Sequence, residues 1–139
     1  MLNARSIARM VPFCALLSAV LAAQPVVADS PAAIVAVAKH DKDNDKTLDL
    51  AEVKSAASAH FRKLDKDGDG TLDAKELKGL VGPTTLKNAD LDKDGTLSKD
   101  EYMALVQKLF DQADVDHDGN LDAQELSSKA GVRLRHLID

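Results

Sequence analysis

The apolar residues of this chain follow two regimes. Residues 11–23 run without a charge after a basic start at Arg5 and Arg9, and the run closes on Val26-Val27-Ala28. Beyond residue 31, apolar residues recur around four acid-rich segments of twelve residues each. Val37, Phe61, Leu86 and Phe110 stand four residues before a segment, and Leu64, Ala89 and Ala113 stand immediately before three of them. Val53, Leu77, Tyr102 and Leu126 follow directly after the four segments. These are core positions of a 3.6-residue period, so each acidic segment is predicted to lie between two amphipathic helices.

The four segments align without gaps at residues 41–52, 65–76, 90–101 and 114–125, with starts 24, 25 and 24 residues apart. Position 1 is Asp41, Asp65, Asp90 and Asp114; position 3 is Asp43, Asp67, Asp92 and Asp116; position 5 is Asp45, Asp69, Asp94 and Asp118. Position 7 is Thr47, Thr71, Thr96 and Asn120, position 9 is Asp49, Asp73, Ser98 and Asp122, and position 12 is Glu52, Glu76, Glu101 and Glu125. Three segments carry five acids at positions 1, 3, 5, 9 and 12 and the third carries four, which accounts for 19 of the 23 acids. A disordered acidic tract would show high charge without such order. It would have no reason to keep Leu48, Leu72, Leu97 and Leu121 in register at position 8.

Each segment resembles the calcium-binding loop of the calmodulin-type EF-hand superfamily. Within it, the chain looks like the small secreted EF-hand proteins of bacteria, over roughly residues 31–127. The resemblance implies an all-α fold of four helix–loop–helix motifs, with very short β-bridges between paired loops formed at the position-8 leucines. It also implies the ligands. Ca²⁺ takes six to eight oxygens at about 2.3–2.6 Å, from the carboxylates at positions 1, 3 and 5, the backbone carbonyl at position 7 and a bidentate Glu at position 12. Position 9 usually acts through water. Up to four Ca²⁺ ions are expected, and the bidentate Glu favours Ca²⁺ over the smaller Mg²⁺.

One loop departs from the pattern. Position 6 needs a sharp turn that favours glycine, and Gly70, Gly95 and Gly119 comply where loop 41–52 has Lys46. A side chain held there costs about 1 kcal/mol, and this one also carries a positive charge. Loop 41–52 is therefore expected to be the weakest site, though a site still, since its five carboxylates are intact.

The loops are closely spaced. Val53–Leu64 and Tyr102–Ala113 contain neither Gly nor Pro, so each reads as one helix, about 18 Å long, shared by two loops. Loops at opposite ends of such a helix cannot pair with each other. Between the second and third loops, Gly79, Gly82 and Pro83 let the chain turn back, and Thr84 or Thr85 can cap a new helix. Loop 2 is thus expected to pair with loop 3, Leu72 opposite Leu97, leaving loop 1 near loop 4; the alternative is 1 with 2 and 3 with 4. The tail, residues 127–139, is expected to be a frayed amphipathic cap, with a partner-binding or groove-covering segment as the alternative.

Residues 1–28 have the layout of a secretory signal peptide, with cleavage expected after Ala28, and the apolar run is too short for the roughly 20 residues of a membrane span. Cleavage would remove Cys14, the one cysteine, and leave an EF-hand domain at residues 29–139, secreted or periplasmic. That part carries 16 basic and 23 acidic residues, a net charge of −7, which makes nucleic acid a poor partner. No metal-ligand spacing links His40, His60, His117 and His136, and no serine has a nucleophile-elbow context, so an enzyme is not expected. Outside the leader Met103 is the only methionine, which argues against a Met-rich target groove. A buffer or calcium-stabilised module is expected, with a sensor that binds an unidentified protein partner as the alternative.

Overall fold

The computed structural model describes residues 30–139; the expected signal peptide and its expected cleavage point lie outside the described residues. The elements are α1 (Pro31–His40), β1 (Leu48–Asp49), α2 (Leu50–Leu64), β2 (Thr71–Leu72), α3 (Pro83–Ala89), β3 (Leu97–Ser98), α4 (Lys99–Ala113), β4 (Asn120–Leu121), α5 (Ala123–Leu126) and α6 (Lys129–Ile138). The architecture is helical, with two antiparallel bridges of two residues per strand. None of the described helices is long and apolar enough to cross a membrane.

The two long helices are continuous, as the absence of Gly and Pro implies. In α2 the buried residues Val53, Ala56, Ala57, His60 and Phe61 form a single stripe. In α4 the stripe is Tyr102, Leu105, Val106, Leu109, Phe110 and Ala113. Both follow the i, i+3, i+4, i+7 rule of a helix with one face on a core. The faces meet through Phe61 and Tyr102, edge to face with ring centroids 5.4 Å apart and planes at 69°, the geometry that aromatic quadrupoles favour. The Tyr102 hydroxyl donates to the Leu137 carbonyl at 2.8 Å, so its polar end is satisfied in the core. Burial pushes its pKa far above the ordinary phenol value.

The bridges settle the pairing. β1 pairs with β4, Leu48 opposite Leu121 and Asp49 opposite Asn120. β2 pairs with β3, Leu72 opposite Leu97 and Thr71 opposite Ser98. Loop 1 thus lies against loop 4 and loop 2 against loop 3, and the consecutive pairing does not occur. All four leucines are fully buried. Each contributes about 1.5–3 kcal/mol on removal from water, which ties the loops to the core.

Two expectations are corrected. The tail is not frayed: α6 packs against α4, α2, α5 and α1, with Leu134, Leu137 and Ile138 buried. Its apolar residues lie on one face and pack against both α2 and α4, which the groove-covering alternative described. The side chain of Ser128 caps it by accepting the Gly131 N–H at 3.0 Å. Gly131 permits the close approach, since a Cβ there would lie 2.3 Å from the Glu125 carbonyl oxygen. Asp139, just past its end, accepts from Lys39 Nζ at 2.7 Å and lies 3.1 Å from His40 Nε2, joining it to the end of α1.

The connection between loops 2 and 3 is also less regular than expected. Ala74–Leu80 forms turns rather than a helix, although Leu77 is buried. Thr84 and Thr85 lie inside α3 and do not cap it; Gly82 is the N-cap and Pro83 the first helical residue. Proline has no N–H to satisfy there and its φ is already helical, so it starts a helix without a side-chain cap.

Candidate metal centre

Each loop begins where a helix ends. The N–H of the position-1 aspartate donates to the carbonyl four residues earlier: Asp41 to Val37, Asp65 to Phe61, Asp90 to Leu86 and Asp114 to Phe110, at 2.8–2.9 Å. The apolar residues that precede the loops are therefore also the acceptors that close the entering helices. The backbone then turns twice through positive φ, at positions 4 and 6. Position 6 has φ of 85°, 89° and 88° at Gly70, Gly95 and Gly119, and 72° at Lys46. Lys46 holds the left-handed turn that its neighbours assign to glycine, as expected from its place in the repeat.

The same internal bonds recur in each loop. The position-1 carboxylate accepts the position-6 N–H: Lys46 to Asp41 at 2.9 Å, Gly70 to Asp65 at 3.1 Å, Gly95 to Asp90 at 3.0 Å and Gly119 to Asp114 at 3.2 Å. The position-5 carboxylate accepts the position-7 N–H at 2.8 Å, and in the first three loops also the threonine hydroxyl. One oxygen of the position-12 glutamate accepts the position-2 N–H, from Lys42, Lys66, Leu91 and Val115. Its other oxygen accepts the position-9 N–H, at 2.9–3.2 Å. The glutamate thereby spans its loop from end to end.

Position 9 has a role that the sequence reading did not give it. Asp49, Ser98 and Asp122 are the N-caps of α2, α4 and α5, and each accepts the N–H of the glutamate three residues on. Asp73 makes the same bond to Glu76 at 2.9 Å, although no regular helix follows. The signal was present: Asp or Ser followed three residues later by Glu is a capping box.

Carboxylate oxygens converge in every loop. One oxygen from each of three residues lies within 4.8 Å of the others in Asp41–Asp43–Asp45, Asp65–Asp67–Glu76, Asp90–Asp92–Asp94 and Asp114–Asp116–Asp118. Ligands on opposite sides of a Ca²⁺ ion would be about 4.6–5.2 Å apart, so the clusters have the right scale. Asp69 is not in the second cluster, and Glu52, Glu101 and Glu125 are outside the other three; Glu76 joins its cluster although the same backbone N–H groups hold it. Thr47, Thr71, Thr96 and Asn120 sit half-buried where the loops meet the bridges.

Charge and hydrogen bonding pull these groups in opposite directions. The Asp45 N–H lowers the pKa of Asp43, but burial and the charges of Asp45 and Glu52 outweigh it and leave Asp43 above the ordinary carboxylate value. Asp92 is raised likewise, against the Asp94 N–H, by burial and the charges of Asp94 and Glu101. The Thr47 hydroxyl holds Asp45 below the ordinary value, the Glu76 N–H does so for Asp73, and the Leu91 and Ser98 N–H groups do so for Glu101.

One oxygen tests the fit of a cation. In loops 1 to 3 the position-4 N–H donates to Oδ1 of the position-1 aspartate: Asn44 to Asp41, Gly68 to Asp65 and Lys93 to Asp90. In loop 4, Asp114 is buried and its Oδ1 has no hydrogen-bond partner among the described residues. A buried carboxylate oxygen without a partner is costly. With Asp116 and Asp118 beside it, the need is for positive charge with several open coordination positions, which a hard divalent cation supplies.

A family model described as EF hand matches three segments of the chain, residues 59–81, 84–106 and 105–128. These hold loops 2, 3 and 4; loop 1, with Lys46 in place of the turn glycine, lies outside them. No curated protein matches the chain. The repeated loops, their capping glutamates and their converging carboxylates point to calcium binding, and with the three matched segments they show that the chain belongs to the EF-hand superfamily.

Proposed function

We propose that the protein binds Ca²⁺ at all four loops and serves as a calcium-stabilised module or buffer outside the cytoplasm, not as an enzyme. The proposed ligands are Asp41, Asp43, Asp45, Thr47 and Glu52; Asp65, Asp67, Asp69, Thr71 and Glu76; Asp90, Asp92, Asp94, Thr96 and Glu101; and Asp114, Asp116, Asp118, Asn120 and Glu125. Loop 1 is included because its carboxylates cluster and its glutamate is held as in the other loops. The bound ion would supply positive charge to carboxylates that otherwise repel one another.

The observation that favours a module over a sensor is α6. A sensor needs an apolar face that becomes free on loading. Here the faces of α2 and α4 are already covered by the chain's own last helix. The sensor alternative draws on Leu91 and Val115, at position 2 of loops 3 and 4, which are 75% and 72% exposed.

Calorimetric calcium titration, with thermal melts in calcium and in chelator, tests this reading. Four ions per chain and a large loss of melting temperature in chelator are expected, because a ligand that binds only the folded state stabilises it by mass action. Identical circular dichroism and melting with and without chelator would refute calcium stabilisation. Newly exposed apolar surface in calcium, detected by a hydrophobic dye, would favour the sensor. For the proposed secretion, the mature protein should begin at Asp29.

A further inference from the structure

One hollow outside the carboxylate clusters is bordered mainly by cations. Its volume is about 200 Å³, and it lies where the C-terminal ends of α1 and α6 meet α2. Lys39, His40, Lys42, Ser55 and Lys63 line it, with Glu52 as the one acid among the lining residues. The acids nearest these lysines are already engaged. Glu52 accepts the N–H groups of Lys42 and Asp49, one on each oxygen. Asp139 accepts from Lys39 Nζ at 2.7 Å and lies 3.1 Å from His40 Nε2. These two contacts are the only ion pairs among the described residues, so neither Lys42 nor Lys63 is paired with a carboxylate there. Lys42 Nζ donates instead to Ser55 Oγ at 2.8 Å. That hydroxyl accepts from the lysine, and its own proton has no acceptor among the described residues. Two unpaired ammonium groups and a hydroxyl proton thus border one hollow, a set of donors without an acceptor.

We infer that this hollow is a subsite for a phosphate group, as the free ion or a small monoester, and that calcium in loop 1 strengthens it. The second part rests on the calcium reading above. A phosphate group brings close to two negative charges and three or more acceptor oxygens, which suits lysines acting as point charges and a hydroxyl donor. The hollow is smaller than the roughly 300–1,000 Å³ of sites for drug-sized ligands, so it fits the group itself and not a large molecule around it. Without calcium the lysines are offset by Asp139, by the carboxylates of loop 1 and by the carbonyl ends of α1 and α6, each end equivalent to about half a negative charge. A divalent ion held in part by Glu52 shifts that balance by two positive charges at the wall of the hollow. The link runs both ways, so an occupied hollow tightens calcium in loop 1 by the same factor.

The test is an NMR titration of the calcium-loaded protein with glycerol 3-phosphate at pH 7.5 and low salt, following the backbone amides of Lys42, Ser55 and Lys63. Saturable shifts are expected at these three and none at Gly95 in loop 3. Lys63 is exposed, so Lys63→Gln leaves the core intact. It is expected to weaken binding at least fivefold, since one charge roughly 5 Å from a dianion in water is worth about fifteenfold before salt screens it. Lys78→Gln, an equal change of net charge on the connection between loops 2 and 3, is expected to leave binding unchanged. Inorganic phosphate, as a second probe, distinguishes the sources: binding of both supports recognition of the group itself, and binding of one alone assigns the hollow to the monoester or to the free ion. A calcium titration in fixed glycerol 3-phosphate tests the link. The midpoint at the Lys46 amide is expected to fall at least fivefold relative to that at Gly95, a comparison within one sample that calcium bound by the probe cannot alter. Lys63→Gln should abolish this change. Shifts that do not saturate, that sodium acetate reproduces at equal ionic strength, or that Lys63→Gln and Lys78→Gln diminish equally would overturn the subsite. An unmoved ratio between Lys46 and Gly95 would overturn the link to calcium. No response to millimolar calcium at either reporter would instead overturn the calcium reading itself.

Discussion

Replacing Gly131 with alanine separates a docked C-terminal helix from a frayed one by the sign of the effect. On an exposed helix the change is stabilising, by about 1 kcal/mol of helix propensity. Here the added methyl would lie 2.3 Å from the Glu125 carbonyl oxygen, 2.5 Å from Leu126 Cα and 2.7 Å from the Leu126 carbonyl carbon. Ordinary contact begins at 3.4 Å, so α6 would have to retreat by roughly 1 Å, a gap that forfeits up to half of each facing dispersion contact. The obstacle is backbone and cannot rotate away. Leu134, Leu137 and Ile138 would be drawn from the core with the helix. Overpacking of this kind costs about 1–3 kcal/mol, and the upper end applies against fixed backbone. Less the propensity gain, the net loss is about 2 kcal/mol, or roughly 10 °C in melting temperature for a domain of this size. Urea and thermal unfolding of wild type and Gly131→Ala, both saturated with calcium so that site occupancy does not contribute, measure it. A variant as stable as wild type, or more stable, would refute the docking of α6.

Two further outcomes are expected. Lys46→Gly removes a side chain from φ 72° and a positive charge from beside site 1. The backbone gain is nearly cancelled by the freedom glycine adds to the unfolded chain, about 0.5–1 kcal/mol. The charge remains: at a separation of roughly 10 Å in water it opposes a divalent ion by about 0.8 kcal/mol, or ~fourfold in affinity. Calorimetry should therefore show site 1 tightening at low salt and the gain shrinking as salt is added, and an unchanged affinity at low salt would count against the strain-and-charge account of loop 1. His60 is buried, its Nδ1 has no partner among the described residues, and burial lowers its pKa below the ordinary value of 6.5. In the window between that lowered value and 6.5 the unfolded chain binds a proton that the folded one refuses. Stability is then complete above pH 6.5 and falls as pH drops through the window, by at most about 1.4 kcal/mol per pH unit. Urea melts at pH 7.5 and 5.5 in saturating calcium should show this loss in wild type and not in His60→Leu; equal losses in both would assign it elsewhere.

The long helices and the loop pairing were legible because they follow from spacing. With twelve residues between loops and no helix breaker, Val53–Leu64 has one economical conformation, and a straight helix keeps the loops at its ends apart. The carboxylate positions were legible because the repeat places them four times. The tail was not, because Leu134, Leu137 and Ile138 reveal an amphipathic helix without revealing whether a receiving surface exists. That surface is assembled only when α2 and α4 meet, far from the tail in sequence. Gly131 was passed over for the same reason, since its close approach to Leu126 appears only in three dimensions. The dual role of position 9 was missed because it was considered as a metal position alone, while the same residue starts the next helix.

The pairing of loop 1 with loop 4 has a consequence for the order in which the molecule can be made. The first loop is chemically complete once residue 52 has been synthesised, yet its partner strand begins only at Asn120. A chain with consecutive pairing could close its first two loops and bury their leucines while the rest was still emerging. Here both strands of the middle bridge, residues 71–72 and 97–98, have been made before the second strand of the outer bridge, residues 120–121. Such long-range closure raises the contact order and slows folding. It also leaves Leu48 without its bridge partner until Leu121 has been made.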